Sequence, residues 1–167
     1  ISCDAAVRFE GTLGAQAIGQ YAFNEAELQY VYFAKPIDQI KAIDDYAFYK
    51  ASISGGKNYA IRFEGALNAT NSIGARAFAS GEILKDIVFA GDIAGDYAML
   101  NSFQGFDNPA GTPVLFNGNI SGNHAIGKHA FSQAAVSTVT INGNVSGENA
   151  IDECAFLYCC NNPEGST

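Results

Sequence analysis

Ala17-Ile18-Gly19-Gln20-Tyr21-Ala22-Phe23 is a heptapeptide that the chain writes repeatedly. It returns as Ala42-Ile43-Asp44-Asp45-Tyr46-Ala47-Phe48 and as Ser72-Ile73-Gly74-Ala75-Arg76-Ala77-Phe78. Two later copies are Ala125-Ile126-Gly127-Lys128-His129-Ala130-Phe131 and Ala150-Ile151-Asp152-Glu153-Cys154-Ala155-Phe156, with a worn copy from Tyr97 to Phe103 between the two groups. The phenylalanines at 23, 48, 78, 103, 131 and 156 are 25, 30, 25, 28 and 25 residues apart. Self-similarity at such a period marks a solenoid: one unit cannot bury its apolar face alone, and stacked neighbours complete the core.

Outward from the heptapeptide, each repeat carries a short alternating segment. These are Val7-Arg8-Phe9, Val31-Tyr32-Phe33, Ile61-Arg62-Phe63, Ile87-Val88-Phe89, Val114-Leu115-Phe116 and Val139-Thr140-Ile141. Apolar ends around a variable middle predict a short strand with one buried face. Gly11, Gly65, Gly91, Gly118 and Gly143 follow after one further residue, with Lys35-Pro36 in the remaining repeat; these are expected to let the chain turn. A third apolar column comes next: Leu13, Ile37, Leu67, Ile93, Ile120 and Val145. The predicted fold is a repeat solenoid of leucine-rich type, a right-handed β/α superhelix. A parallel sheet of six short strands forms one face, and short helical (3-10 or α) turns carrying Ala-Phe form the other. Residues 1–167 read as a single domain of six repeats. Because the chain starts Ile1-Ser2-Cys3-Asp4, without an initiator Met or a signal peptide, the expectation is a mature form or a fragment of a longer array.

Composition narrows the partners. Nine Lys and Arg against seventeen Asp and Glu give a formal charge of −8, too few scattered cations to build the positive stripe that nucleic acid requires. An anionic membrane surface is excluded on the same ground. No stretch reaches the roughly 18 apolar residues of a membrane span, so no membrane insertion by this segment is expected.

The short apolar strand followed by Ile-Gly-x-x-Ala-Phe at this period closely resembles the BspA-like leucine-rich repeat family, over essentially the whole chain. The chain departs from that pattern in three ways. Glu, Ala or Asn stands directly after the strand where the family often has Pro, the cysteine three residues after Phe appears only as Cys159, and leucine is sparse. The resemblance implies a secreted or cell-surface protein of a bacterium or protist, with a curved solenoid used in adhesion or host contact. It carries over no catalytic residue.

Function must therefore be sought on exposed positions. Side chains alternate along a strand, which predicts an outward ladder of Arg8, Tyr32, Arg62, Val88, Leu115 and Thr140. The flanking outward columns are expected to be Ala6, Tyr30, Ala60, Asp86, Pro113, Thr138 and Glu10, Ala34, Glu64, Ala90, Asn117, Asn142. Arg, Tyr and Glu together suit a protein interface, and adjacent Val88 and Leu115 read as an exposed apolar patch. The expected face for a protein partner is Arg8, Tyr30, Tyr32, Arg62, Val88, Leu115 and Phe106. Tyr30 and Tyr32 would serve a glycan instead by stacking on a sugar. The competing reading is that Arg8 and Arg62 merely pair with Glu10 and Glu64 on a solvated sheet.

The two longer repeats place their extra residues at 49–58 and 104–113, where loops expected to project from one sheet edge would offer Ile53 and Phe106 as anchors. The alternative is that these two plug a hole, because their repeats lack the aliphatic found at Leu28, Leu84 and Val136.

Catalytic chemistry needs convergent titratable groups. His124 falls in a turn, His129 in an outward repeat position, and neither has zinc-ligand spacing to Cys or Asp. Asp44-Asp45 and Asp152-Glu153 read as solvated convex-face charges. The expectation is no enzyme, no metal and no cofactor. The cysteines are Cys3, Cys154, Cys159 and Cys160. Five rungs of about 4.8 Å put Cys3 beyond the roughly 7 Å reach of a disulfide to the others, whereas Cys154 could bridge to Cys159 or Cys160. Three glycosylation sequons begin at Asn68, Asn119 and Asn144.

Overall fold

Every one of the alternating triplets is a strand. In the computed structural model, which describes residues 5–159, the strands are β1 (Ala5–Phe9), β2 (Glu27–Phe33), β3 (Ser52–Ile53), β4 (Tyr59–Phe63), β5 (Glu82–Ile83), β6 (Asp86–Phe89), β7 (Thr112–Phe116) and β8 (Val136–Ile141). All pairings are parallel. The long strands stack in the order β1, β2, β4, β6, β7, β8, and we number the rungs one to six accordingly. The two-residue strands β3 and β5 extend the beginning of β2 as a side branch.

The repeat reads directly into the core. Phe9, Phe33, Phe63, Phe89 and Phe116 form one file of stacked rings, with centroids 5.0, 4.7, 5.0 and 4.9 Å apart. Phe23, Phe48, Phe78, Phe103, Phe131 and Phe156 form a second, at 4.6 to 5.2 Å. These spacings match the separation of hydrogen-bonded strands, so the backbone ladder sets the ring stack. The files meet edge to face, for example Phe89 on Phe103 at 5.9 Å. Such contacts add about 0.5–1.5 kcal/mol per pair to the burial itself.

Among the described residues there is no helix, so the expected helical turns on the wall opposite the sheet are absent. That wall is a chain of tight turns, such as Ala22 N to Gly19 O at 3.1 Å and Asn24 N to Tyr21 O at 3.1 Å. Between them, other amides run along the solenoid axis to the next rung, as in Phe23 N to Ala47 O and Phe48 N to Ala77 O, both 2.7 Å. A helix would consume those amides internally; here they join rungs.

The turns depend on left-handed residues. Gln16, Tyr21 and Glu25 have φ of 52°, 60° and 57° in rung one, and the same three columns recur in each rung. Seventeen residues other than glycine adopt this conformation among the described residues, and Gly105 takes the one remaining place.

The glycines after the strands do something else. None of Gly65, Gly91, Gly118 and Gly143 has positive φ. A Cβ on Gly91 would stand 2.5 Å from the Gly65 carbonyl carbon, and Gly118 and Gly143 face the backbone of the preceding rung just as closely. Close approach, not turning, is what they supply, which corrects the expectation.

The insertions resolve in favour of packing. Ile53 pairs with Leu28 and Ile83 and is 1% exposed, as is Phe106. The column member in rung four is Ile83, not Leu84, which is exposed. In the second insertion Asn108 is buried, its Nδ2 donating to Ile83 O (3.0 Å) and Thr112 Oγ1 (2.8 Å), while the Thr112 hydroxyl donates to Ile83 O. In the first, Gly55 N and Gly56 N donate to Gln29 O at 2.6 and 2.9 Å, and residues 54–58 are largely solvent-facing.

Candidate functional site

The outer face of the sheet divides at the fourth rung. On rungs one to three the middle residues are Arg8, Tyr32 and Arg62, in register on adjacent strands. Arg8 Cζ lies 4.6 Å from the centre of the Tyr32 ring, and Arg62 Cζ lies 5.8 Å from that of Tyr59. Tyr59 in turn meets Tyr30 edge-on at 5.6 Å and Tyr32 at 6.5 Å. Each arginine is also tied to the carboxylate two residues on, Arg8 to Glu10 (Nη2 to Oε1, 2.6 Å) and Arg62 to Glu64 (Nε to Oε2, 2.5 Å). The pairing that would leave a merely solvated sheet is therefore present. It runs along the strand rather than across strands.

Electrostatics follow the geometry. The Tyr30 hydroxyl, then Glu10, raise Arg8 above its ordinary value, and Glu64 does the same for Arg62. Burial pushes the Tyr59 phenol up, reinforced by Tyr30 and opposed by the two arginines. Tyr59 thus stays neutral and stacked, and the cluster is a mixed aromatic and cationic surface with carboxylates at its rim.

Of the residues expected on this face, Arg8 is exposed and Tyr32, Arg62 and Leu115 are half-buried. Three others are not available. Tyr30 is 7% exposed, under the Tyr59 ring and the Arg8 side chain, whose Nη1 lies 3.5 Å from the Tyr30 hydroxyl. Val88 is 6% exposed between the flanking strands of Arg62 and Leu115, so the expected Val88–Leu115 patch loses half its surface. Phe106 lies in the core.

Tyr59 is the member that sequence reading missed. Strict alternation put Ala60 in the outward flank, but the register slips between Tyr59 and Ile61. Ala60 is thereby buried, and Tyr59 is set opposite Asp86. The register slips in the same way where β2 meets β1 and where β8 meets β7, and neither β2 nor β8 follows an insertion, so strict alternation held no local signal for it.

The remaining titratable groups hold turns. Asp45 Oδ1 accepts from Ala75 N (2.8 Å), and its Oδ2 binds Lys41 Nζ (2.7 Å), raising the lysine above its ordinary value. Asp152 is equally engaged. Its burial works against ionisation, yet Glu153 N (2.6 Å to Oδ1) and His124 Nδ1 (2.8 Å from Oδ2) outweigh that and hold the carboxyl below the ordinary range. Asp44, Asp45 and Asp152 are thus half-buried braces rather than freely solvated charges, while Glu153 is exposed. His124 stacks on Tyr97 at 4.8 Å. His129 is half-buried with its Nδ1 enclosed and unpartnered.

Among the described residues no group of His, Cys, Asp and Glu could hold a metal ion, and no helix is long and apolar enough to cross a membrane. Cys154 is free, so it is not bridged to Cys159; Cys3 and Cys160 lie outside the described residues.

A family model described as BspA type leucine rich repeat region matches residues 3–104 and 113–163 in six copies. No curated protein and no solved structure matches the chain.

Proposed function

Because the chain belongs to the BspA-type leucine-rich repeat family, we propose that it is a non-enzymatic repeat protein of the cell surface or extracellular space. Its outer sheet would bind a protein partner, in adhesion or in contact with a host or matrix surface. The observation that carries this reading is the Arg8–Tyr32–Tyr59–Arg62 cluster on rungs one to three. Tyrosine and arginine are the residue types that dominate protein interfaces. Here each is held in place by its neighbours, so little side-chain freedom is lost on binding. The Glu10 and Glu64 rim gives the surface both signs of charge and would select the partner's orientation.

The glycan reading keeps only Tyr32 and Tyr59, since Tyr30 is buried. It is disfavoured because Arg8 and Arg62 lie over the ring faces that a sugar would use. A passive spacer, in which only stacking matters, would have no use for the cluster.

The test is binding of the protein to arrays of matrix proteins and of glycans, with Tyr59→Ala and Arg62→Glu as variants. Loss of protein binding by about tenfold or more in each, equivalent to about 1.4 kcal/mol, is the expected result. Glycan binding lost in Tyr59→Ala and in a third variant, Tyr32→Ala, but kept in Arg62→Glu, would replace this reading with the glycan one. Protein binding indifferent to all three substitutions would remove the outer sheet as the site.

A further inference from the structure

Three columns of left-handed residues line the turn wall, and the third is interrupted once. Its members are Glu25, Lys50, Ser80, Gly105, Gln133 and Tyr158, with φ between 55° and 64°. Five rungs place a side chain there and the fourth places none. Neither conformation nor packing demands glycine at this point. The other five members adopt the same backbone, and a Cβ on Gly105 would meet nothing within 4 Å. The other left-handed glycines among the described residues, Gly55 and Gly111, are crowded, since their Cβ atoms would run into Lys85 and Ser137. What Gly105 leaves is open space.

That space belongs to a groove along the flank of rungs three to six. It has two lobes, of about 270 and 380 Å³, which share Gly105 and Gln133. The larger lies within the range of small-ligand sites, about 300–1,000 Å³. Ala79, Phe106 and Ala134, each 1% exposed, join Gly105 in lining it. The second insertion builds one wall, and that wall is pinned. Asn108 holds it through Ile83 O and Thr112 Oγ1, while Ala110 N and Gly111 N donate to Asn108 Oδ1 (3.0 Å) and O (2.9 Å). Asp107 N donates to Gly81 O at 2.8 Å.

Polar side chains converge on the groove without partners. Arg76, Ser80 and Gln104 line the smaller lobe, Asp107 and Tyr158 the larger, and Gln133 both. None of these six side chains makes a hydrogen bond or ion pair with another described residue. On the outer sheet, by contrast, Arg8 and Arg62 are already engaged by Glu10 and Glu64. Backbone donors in the groove are spent: Ser80 N, Gly105 N and Gln133 N go to Gln104 O, Ser132 O and Leu157 O. A peptide adding as a strand would find no ladder to join. Two carboxamides, which both donate and accept, suit neighbouring hydroxyl groups. The Tyr158 ring adds an apolar body with a polar tip. One guanidinium and one carboxylate leave the groove without net charge, which favours a neutral ligand.

We propose that this groove is a binding site for a neutral oligosaccharide, separate from the protein-binding face of the outer sheet. Gln104 and Gln133 would bracket one sugar ring over Gly105, and Tyr158 would meet the next. From Ser80 to Tyr158 is three rung steps, about 14 Å, so the groove takes a short chain rather than a single ring.

The experiment is titration of the intact protein with neutral linear trisaccharides of glucose, galactose, mannose or N-acetylglucosamine, to about 10 mM, followed by backbone amide NMR. The expected result is a saturable shift of the Gly105 and Gln133 signals with at least one of them. Gly105→Gln restores the side chain that the next rung carries, and it should weaken that binding about tenfold or more. Gln133→Ala should do the same; it truncates an exposed side chain and keeps the proposal testable if Gly105→Gln folds poorly. Three outcomes overturn it: no trisaccharide shifts any signal, the shifts are confined to the outer sheet, or affinity is unchanged in either folded variant. Short peptides that move the Gly105 and Gln133 signals where no sugar does would replace the oligosaccharide with a peptide.

Discussion

Two kinds of corner turn this chain, and they use glycine in opposite ways. After each strand the corner needs room: Gly65, Gly91, Gly118 and Gly143 have ordinary φ but backbone packed where a Cβ would be. On the opposite wall the corners need left-handed backbone, and the chain gives those places to Tyr46, Arg76, His129 and their equivalents, with Gly105 the one glycine among them in the described residues. A left-handed residue costs about 1–2 kcal/mol when it is not glycine. In return most of these residues send their amides along the axis, as Arg76 N does to Asn101 O at 3.1 Å. It also keeps a side chain on the surface. Glycine appears where space is scarce, and side chains are retained where only conformation is demanding.

The largest effect should come from filling a tight corner. Gly118→Val would drive its side chain into the Gly91 backbone, and we expect a loss of about 3 kcal/mol or more in chemical denaturation. Gly11→Val, in the same column but with nothing within 4 Å of its Cβ position, should change stability by less than about 0.5 kcal/mol. Equal losses in the two would show that the glycines act through conformation after all.

Next, the left-handed wall can be probed at Arg76, which is exposed with φ of 56°. Arg76→Val should destabilise by about 1–2 kcal/mol, because a β-branched side chain tolerates this region worst. Smaller and of opposite sign, Arg76→Gly should stabilise by about 0.5 kcal/mol, the relief of strain being partly offset by the freer unfolded chain. A stabilising Arg76→Val would sink the account of this wall.

The smallest expected effect concerns pH. Asp152 is held below the ordinary carboxylate range in the folded state. Its contribution is therefore present above the unfolded value, about pH 4, and is lost as pH falls through the lower folded value. Thermal melts from pH 6 to about pH 3 should show a steeper decline for the parent than for Asp152→Asn, by a few tenths of a kcal/mol, about the size of a partly exposed pair.

Much of the fold was legible from one column of phenylalanines. The period fixes which residues stack, and the apolar ends of each triplet fix which face is buried, so all six long strands and both ring files follow. The binding face was only half legible. Arg8, Tyr32 and Arg62 fall where alternation puts them. Tyr59 entered, and Ala60 left, because the register slips between Tyr59 and Ile61. Tyr30 and Val88 read as outward and are outward, but neighbouring long side chains lie over them. Outward and exposed are separate properties, and alternation reports only the first.

By itself, then, the sequence determined the repeat, the parallel stacking and the identity of the core columns, because these depend on which residue types recur at which spacing. Only the tertiary structure decided that the Ala-Phe wall is a run of left-handed turns instead of helices, that Ile53 and Phe106 are core, and that Arg8, Tyr32, Tyr59 and Arg62 share one surface. The physical reason is that each of these turns on where the next rung's amides, rings and backbone lie. That is a relation between residues about 25 to 30 positions apart, and no local pattern encodes it.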